Sequence, residues 1–109
     1  MEIKKVLNEK ILTIELVGRL DAVTSLELDK DLKTSLNGVD EIIFDLGSLE
    51  YIASAGLRVL LKYQKQVNGF GGEMKIKNVR PEVQEVLDMT GFSDFLNIVD
   101  GKKKLSLEF

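Results

Sequence analysis

The hydroxyl of Ser54 is the group whose setting best suits it to chemistry. The stretch Asp45-Leu46-Gly47-Ser48-Leu49-Glu50-Tyr51-Ile52-Ala53-Ser54-Ala55-Gly56-Leu57 leads from an apolar run into a segment of helical period, and Ser54 falls where an N-cap belongs. A serine there is first of all a cap, which stabilises a helix by about 1 kcal/mol. Ala55 and Gly56 are small, so they leave the hydroxyl open and let another molecule come close to the backbone. The free N–H groups and dipole of a helix start favour an anion. A phosphoryl group carried here therefore need not unfold the domain. The second candidate is Gly18-Arg19-Leu20-Asp21-Ala22-Val23-Thr24. In a parallel sheet, the loops after successive strands gather at the carboxyl edge, where ligands and partners bind. Asp21 and Thr24 equally suit the plainer task of organising a loop and a cap.

Other clusters are less specific. Arg58, Lys62 and Lys65 form a basic strip that reads as a solvated face, with Val59 exposed among them as a hint of a contact surface. Gly69, Gly71 and Gly72 lie at the wrong end of their helix for a phosphate cradle, and no Lys-Ser/Thr pair follows them. They read as a helix stop.

Composition removes whole classes of function. The chain has no His and no Cys. Without them a Ser-His-Asp or Cys-His enzyme cannot be built, and zinc sites of Cys and His are out of reach. A hydrolase using Ser54 with a carboxylate or lysine base is improbable, so the chain is read as a binding module rather than an enzyme, with no cofactor. Lys plus Arg is 15 and Asp plus Glu 18, a formal net charge of −3, which is not the footprint of a nucleic-acid binder. No apolar run approaches the ~18 residues of a membrane span, and the start Met-Glu-Ile-Lys-Lys has no signal-peptide core. The expectation is a cytoplasmic protein with neither nucleic acid nor membrane as a direct partner. Its 109 residues suit a single domain over 1–109.

The elements that position these residues follow from periodicity. Glu2 to Leu7 and Ile11 to Val17 read as a hairpin, with Leu12, Ile14 and Leu16 on one face and Gly18 as the end. Arg19 to Val23 reads as a loop. Thr24 and Glu27 then form a capping box for a helix to about Leu36, buried through Leu28, Leu32 and Leu36 and flanked by Leu26. Ile42-Ile43-Phe44 fits a strand covered on both faces, and Gly47 to Ala53 reads as a connection. A helix from Ser54 places Leu57, Leu60, Leu61, Gln64 and Val67 on one face. Glu73 to Lys77 alternates as a strand. Arg80-Pro81 opens a third helix that Gly91 closes, with Val83, Val86 and Leu87 inward. Asn97 to Val99 is a short last strand, and residues 102–109 read as an edge strand or a frayed end. The expected core is Leu28, Leu32, Ile43, Phe44, Leu57, Leu61, Val83 and Leu87. The order β-β-α-β-α-β-α-β predicts an α/β fold with a mixed, mostly parallel sheet of about five strands.

Four motifs, in this order, resemble those of the STAS domain, and most closely those of the small bacterial anti-sigma-factor antagonists. Gly18-Arg19-Leu20-Asp21-Ala22-Val23-Thr24 is similar to the family's G-x-L-D-x-x-T loop. Asp45-Leu46 with Tyr51-Ile52-Ala53-Ser54-Ala55-Gly56-Leu57 is similar to its acceptor-serine segment. Gly71-Gly72 resembles its turn into the next strand, and Asp88-Met89-Thr90-Gly91-Phe92 its helix end.

The resemblance implies a phospho-switch with Ser54 as phosphoacceptor. The unphosphorylated antagonist would bind an anti-sigma factor that is also a serine kinase, releasing a sigma factor, and a serine phosphatase would reset the cycle. The implied partner surface is Asp21, Ala22, Thr24, Ala53, Ser54, Ala55, Gly56, Arg58, Val59 and Lys62. One position departs from the family: an Asp often precedes the acceptor serine, and here Ala53 stands there. That departure gives weight to an alternative, a STAS scaffold or accessory subunit of a signalling or lipid-transport complex without a phospho-cycle.

Overall fold

A computed structural model describes residues 1–99; residues 102–109, read above as an edge strand or frayed end, lie outside them. The elements in chain order are β1 (Glu2–Asn8), β2 (Ile11–Leu20), α1 (Ala22–Ser35), β3 (Glu41–Asp45), β4 (Leu49–Ile52), α2 (Ser54–Gly69), β5 (Glu73–Lys77), α3 (Pro81–Thr90), a 3-10 turn (Phe92–Asp94) and β6 (Ile98–Val99). The hairpin, three helices, Glu73–Lys77 strand, Pro81 start and Gly91 cap fall where periodicity puts them. Among the described residues the sheet has six strands, against an expected number of about five. Its order is β1-β2-β3-β5-β6, with β4 paired to β2 off that path. Of these six strands only β1 runs antiparallel.

Register defines the buried face. Ile14, Phe44 and Ile76 lie side by side, as do Leu12, Ile42 and Met74. All six are buried, and Leu28, Leu32, Leu57, Leu60, Val67, Val83 and Leu87 of the three helices join the same cluster. The opposite face sets Thr13, Ile43 and Lys75 in register, all half-buried. The reading of β3 as covered on both faces is therefore corrected. Lys75 bonds Glu41 at 3.2 Å on that second face, which carries charged side chains and no helix-packed core at Ile43.

Five further expectations change, each for a local reason. Gly18 does not end β2. Its φ of +110° lets the strand bend, and Arg19 and Leu20 continue as partners of β4. The connection Gly47–Ala53 contains that strand, whose pattern of Leu49 and Ile52 buried around exposed Glu50 and Tyr51 carries no alternation to read. The capping box of α1 is Asp21 with Thr24, not Thr24 with Glu27, so the helix starts earlier. Leu26 is 72% exposed rather than flanking the core, because two residues at 100° each carry it away from Leu28. On α2, Leu61 is half-buried; the buried large apolar side chains are Leu57, Leu60, Tyr63 and Val67.

Candidate functional site

Two parallel strands end together and launch two helices side by side. Leu20 and Ile52, the last residues of β2 and β4, are partners in register, and the Ala53 N–H donates to the Leu20 carbonyl at 2.9 Å. The next residues, Asp21 and Ala53, are the N-caps of α1 and α2. The Asp21–Thr24 segment and the Ala53–Arg58 segment thus share one edge of the sheet. A clamp further along sets the two helices against each other. Asp29 of α1 accepts hydrogen bonds from the buried Tyr63 hydroxyl at 2.6 Å and from Lys62 at 2.9 Å. The Tyr63 hydroxyl also lies 3.1 Å from the Asp29 carbonyl.

Asp21 is a satisfied cap. Its Oδ1 accepts from the backbone N–H groups of Thr24 at 3.0 Å and Val23 at 3.1 Å. Its own N–H donates to Thr24 Oγ1 at 2.8 Å, and that hydroxyl lies 2.8 Å from the Arg19 carbonyl. The Thr24 N–H and hydroxyl favour the ionised carboxylate and hold Asp21 below the usual carboxylate range. Asp21 and Thr24 are half-buried, while Ala22 is exposed beside them.

The start of α2 differs. Ser54 is the first helical residue, not the N-cap expected from its type; Ala53 holds the cap position and offers no side-chain acceptor. The Gly56 and Leu57 N–H groups donate to the Ala53 carbonyl at 2.9 and 3.1 Å. Ser54 is exposed, and Ala53 and Ala55 are half-buried. Gly56 is buried, which corrects its reading as open backbone. A Cβ built on it would meet Leu20 Cγ at 2.7 Å, so the missing side chain serves packing of α2 onto β2.

The basic strip divides. Arg58 is exposed on the turn after Ser54, and Lys65 is exposed further along. Lys62, also exposed, is held by Asp29. Val59, expected to stand exposed, is half-buried against the core. Sequence reading missed one feature of this edge, Arg19 stacked over Tyr51 at 4.2 Å from the ring centroid. The two are register partners on β2 and β4, so the pairing is invisible until β4 is recognised. It also missed Tyr63, although its spacing of three from Leu60 and four to Val67 is a helical signal.

A protein-family model described as STAS domain matches residues 2–105. The chain is 33% identical over 94 residues to the anti-sigma F factor antagonist of Paenibacillus polymyxa, spanning 84% of this chain and 80% of that protein. In structure it is similar to the anti-sigma factor antagonist SpoIIAA in its unphosphorylated form. The TM-score is 0.78 at 18% identity, over 95% of this chain and 93% of that one. The phosphorylated form of SpoIIAA, a Bacillus cell fate determinant, superimposes with a TM-score of 0.71 at 17% identity, over 96% and 97% of the two chains.

Proposed function

This chain belongs to the STAS domain family, and from that premise we propose that it is an anti-sigma-factor antagonist switched at Ser54. In the unphosphorylated state it binds an anti-sigma factor through the shared start of α1 and α2, and so frees a sigma factor for transcription. The partner is also a serine kinase. It transfers the γ-phosphoryl group of ATP to Ser54 Oγ: the bond to ADP breaks, the new P–O bond forms, and the hydroxyl proton passes to a base on the kinase. A serine phosphatase returns the hydroxyl.

One observation carries this reading. The Leu20–Ile52 pairing sets an exposed serine, at a helix start, on the same edge as the Asp21–Thr24 cap of α1. Phosphorylation adds about −1.5 to −2 charge there. A partner fitted to a neutral hydroxyl would have to bury that charge, so it is released without refolding of the domain. Among the described residues no helix is long and apolar enough to cross a membrane.

A second reading is favoured by Ala53, which lacks the carboxylate that often precedes the acceptor serine in this family. Under it the chain is a scaffold or accessory subunit of a signalling or lipid-transport complex, binding through the same edge without a phospho-cycle. Intact-mass measurement with the kinase-type anti-sigma partner and ATP separates the two. The switch expects one added phosphate on the wild type and none on Ser54→Ala, with Ser54→Ala still bound and Ser54→Asp folded but released. A wild type that binds yet gains no phosphate makes the scaffold the correct account.

A further inference from the structure

Among the described residues, the neighbourhood of Ser54 contains one uncommitted cation. Arg58 follows Ser54 by four residues on α2, and both are exposed. Side chains at that spacing share one helix face, with Cβ atoms about 5–6 Å apart. Three other charged groups near this edge have partners. Lys62 is bonded to Asp29 at 2.9 Å, Arg19 lies over the Tyr51 ring, and the Asp21 carboxylate accepts the Val23 and Thr24 N–H groups. Arg58 makes no ion pair among the described residues.

The cap position adds a second condition. Asp at 53 would offer its carboxylate to the first N–H groups of α2, as Asp21 does on α1, and would set a negative charge beside a phosphate. Ala53 does neither. The start of α2 is thus left without a side-chain acceptor, next to a guanidinium whose planar fork suits phosphate oxygens.

We propose that a phosphoryl group on Ser54 is captured within this chain by Arg58. This rests on Ser54 being the phosphoacceptor, and it deepens the switch. Phosphorylation then acts twice on the partner surface, by adding a dianion and by turning the Arg58 guanidinium from the partner onto the phosphate. Ala53 brings no charge that would compete for that contact.

The test needs no kinase. The chain is made with phosphoserine encoded at position 54, and its phosphorus resonance is titrated by NMR. Pairing with Arg58 lowers the second phosphate pKa from its ordinary value of about 6, by ~0.2–0.4 unit for a helix-surface pair. Arg58→Gln is expected to move it back up, while Lys65→Gln, further along α2, leaves it unchanged. Circular dichroism verifies that each variant is folded. Equal titration of the wild type and Arg58→Gln overturns the proposal, as does an equal shift on Lys65→Gln. Kinase treatment followed by intact mass tests the acceptor role separately, so failure of the switch and failure of Arg58 capture give different results.

Discussion

Asp21 and Ala53 start neighbouring helices in nearly the same backbone conformation, with φ and ψ of −107° and −167° at Asp21 and −100° and 170° at Ala53, yet only Asp21 caps with its side chain. The two positions compare a filled and an empty N-cap within one edge of one sheet. Ala53→Asp is expected to raise the unfolding free energy by about 1 kcal/mol, since the backbone is already set for a cap. Ser54→Ala, one residue into the helix, is expected to change it by less than about 0.5 kcal/mol. Urea midpoints at unchanged slope measure both. A larger loss at Ser54 than gain at Ala53 would return the cap to Ser54.

Gly56 tests the closeness of α2 to β2. A Cβ there would lie 2.7 Å from Leu20 Cγ and 2.8 Å from its Cδ2, and Leu20 is fully buried, so it has little room to move. Overpacking costs about 1–3 kcal/mol, against roughly 1 kcal/mol gained in helix propensity. Gly56→Ala is therefore expected to lower the denaturation midpoint, and Gly56→Val to lower it further. A rise on Gly56→Ala would show that the helix sits farther from the sheet.

Adjacent leucines on α2 separate core from boundary. Leu60 is 0% exposed while Leu61 is only half-buried. Leu60→Ala is expected to destabilise by about 2–5 kcal/mol, a large share of a small domain's stability, and Leu61→Ala by clearly less. Chemical denaturation of the two variants ranks them. The reverse order would mean that the face of α2 is rotated by one residue.

The Asp29–Tyr63 clamp predicts how stability follows pH. Burial, and then the bond to Asp29, raise the Tyr63 pKa well above its ordinary value, favouring the neutral phenol in the folded chain. The stability it contributes is complete below the unfolded phenol pKa of about 10 and is lost as pH climbs from there toward the folded value. The Tyr63 hydroxyl, then Lys62, hold Asp29 below the carboxylate range, so its contribution is present above about pH 4 and is lost as pH falls through the folded pKa. Tyr63→Phe should flatten the alkaline loss. Thermal melts between pH 7 and 11 that coincide in slope for wild type and Tyr63→Phe would contradict the clamp.

Local pattern determined most of the frame. Period-two alternation placed Leu12, Ile14 and Leu16 on one face, because a strand turns each side chain to the opposite side of its neighbour. Pro81 and Gly91 marked the ends of α3, because each restricts or frees the backbone by its own covalent structure. The same local chemistry brought Ser54 to a helix start. Pairing between distant segments decided the rest. β4 exists because Leu49–Ile52 found the end of β2, and no alternation within four residues could announce it. That pairing set Asp21 beside Ala53, turned Gly56 from open backbone into a contact with Leu20, and stacked Arg19 on Tyr51. It also moved the cap from Ser54 to Ala53. Whether Ile43 and Leu61 were covered depended on which faces the helices reached, a property of packed layers that residue type alone does not encode.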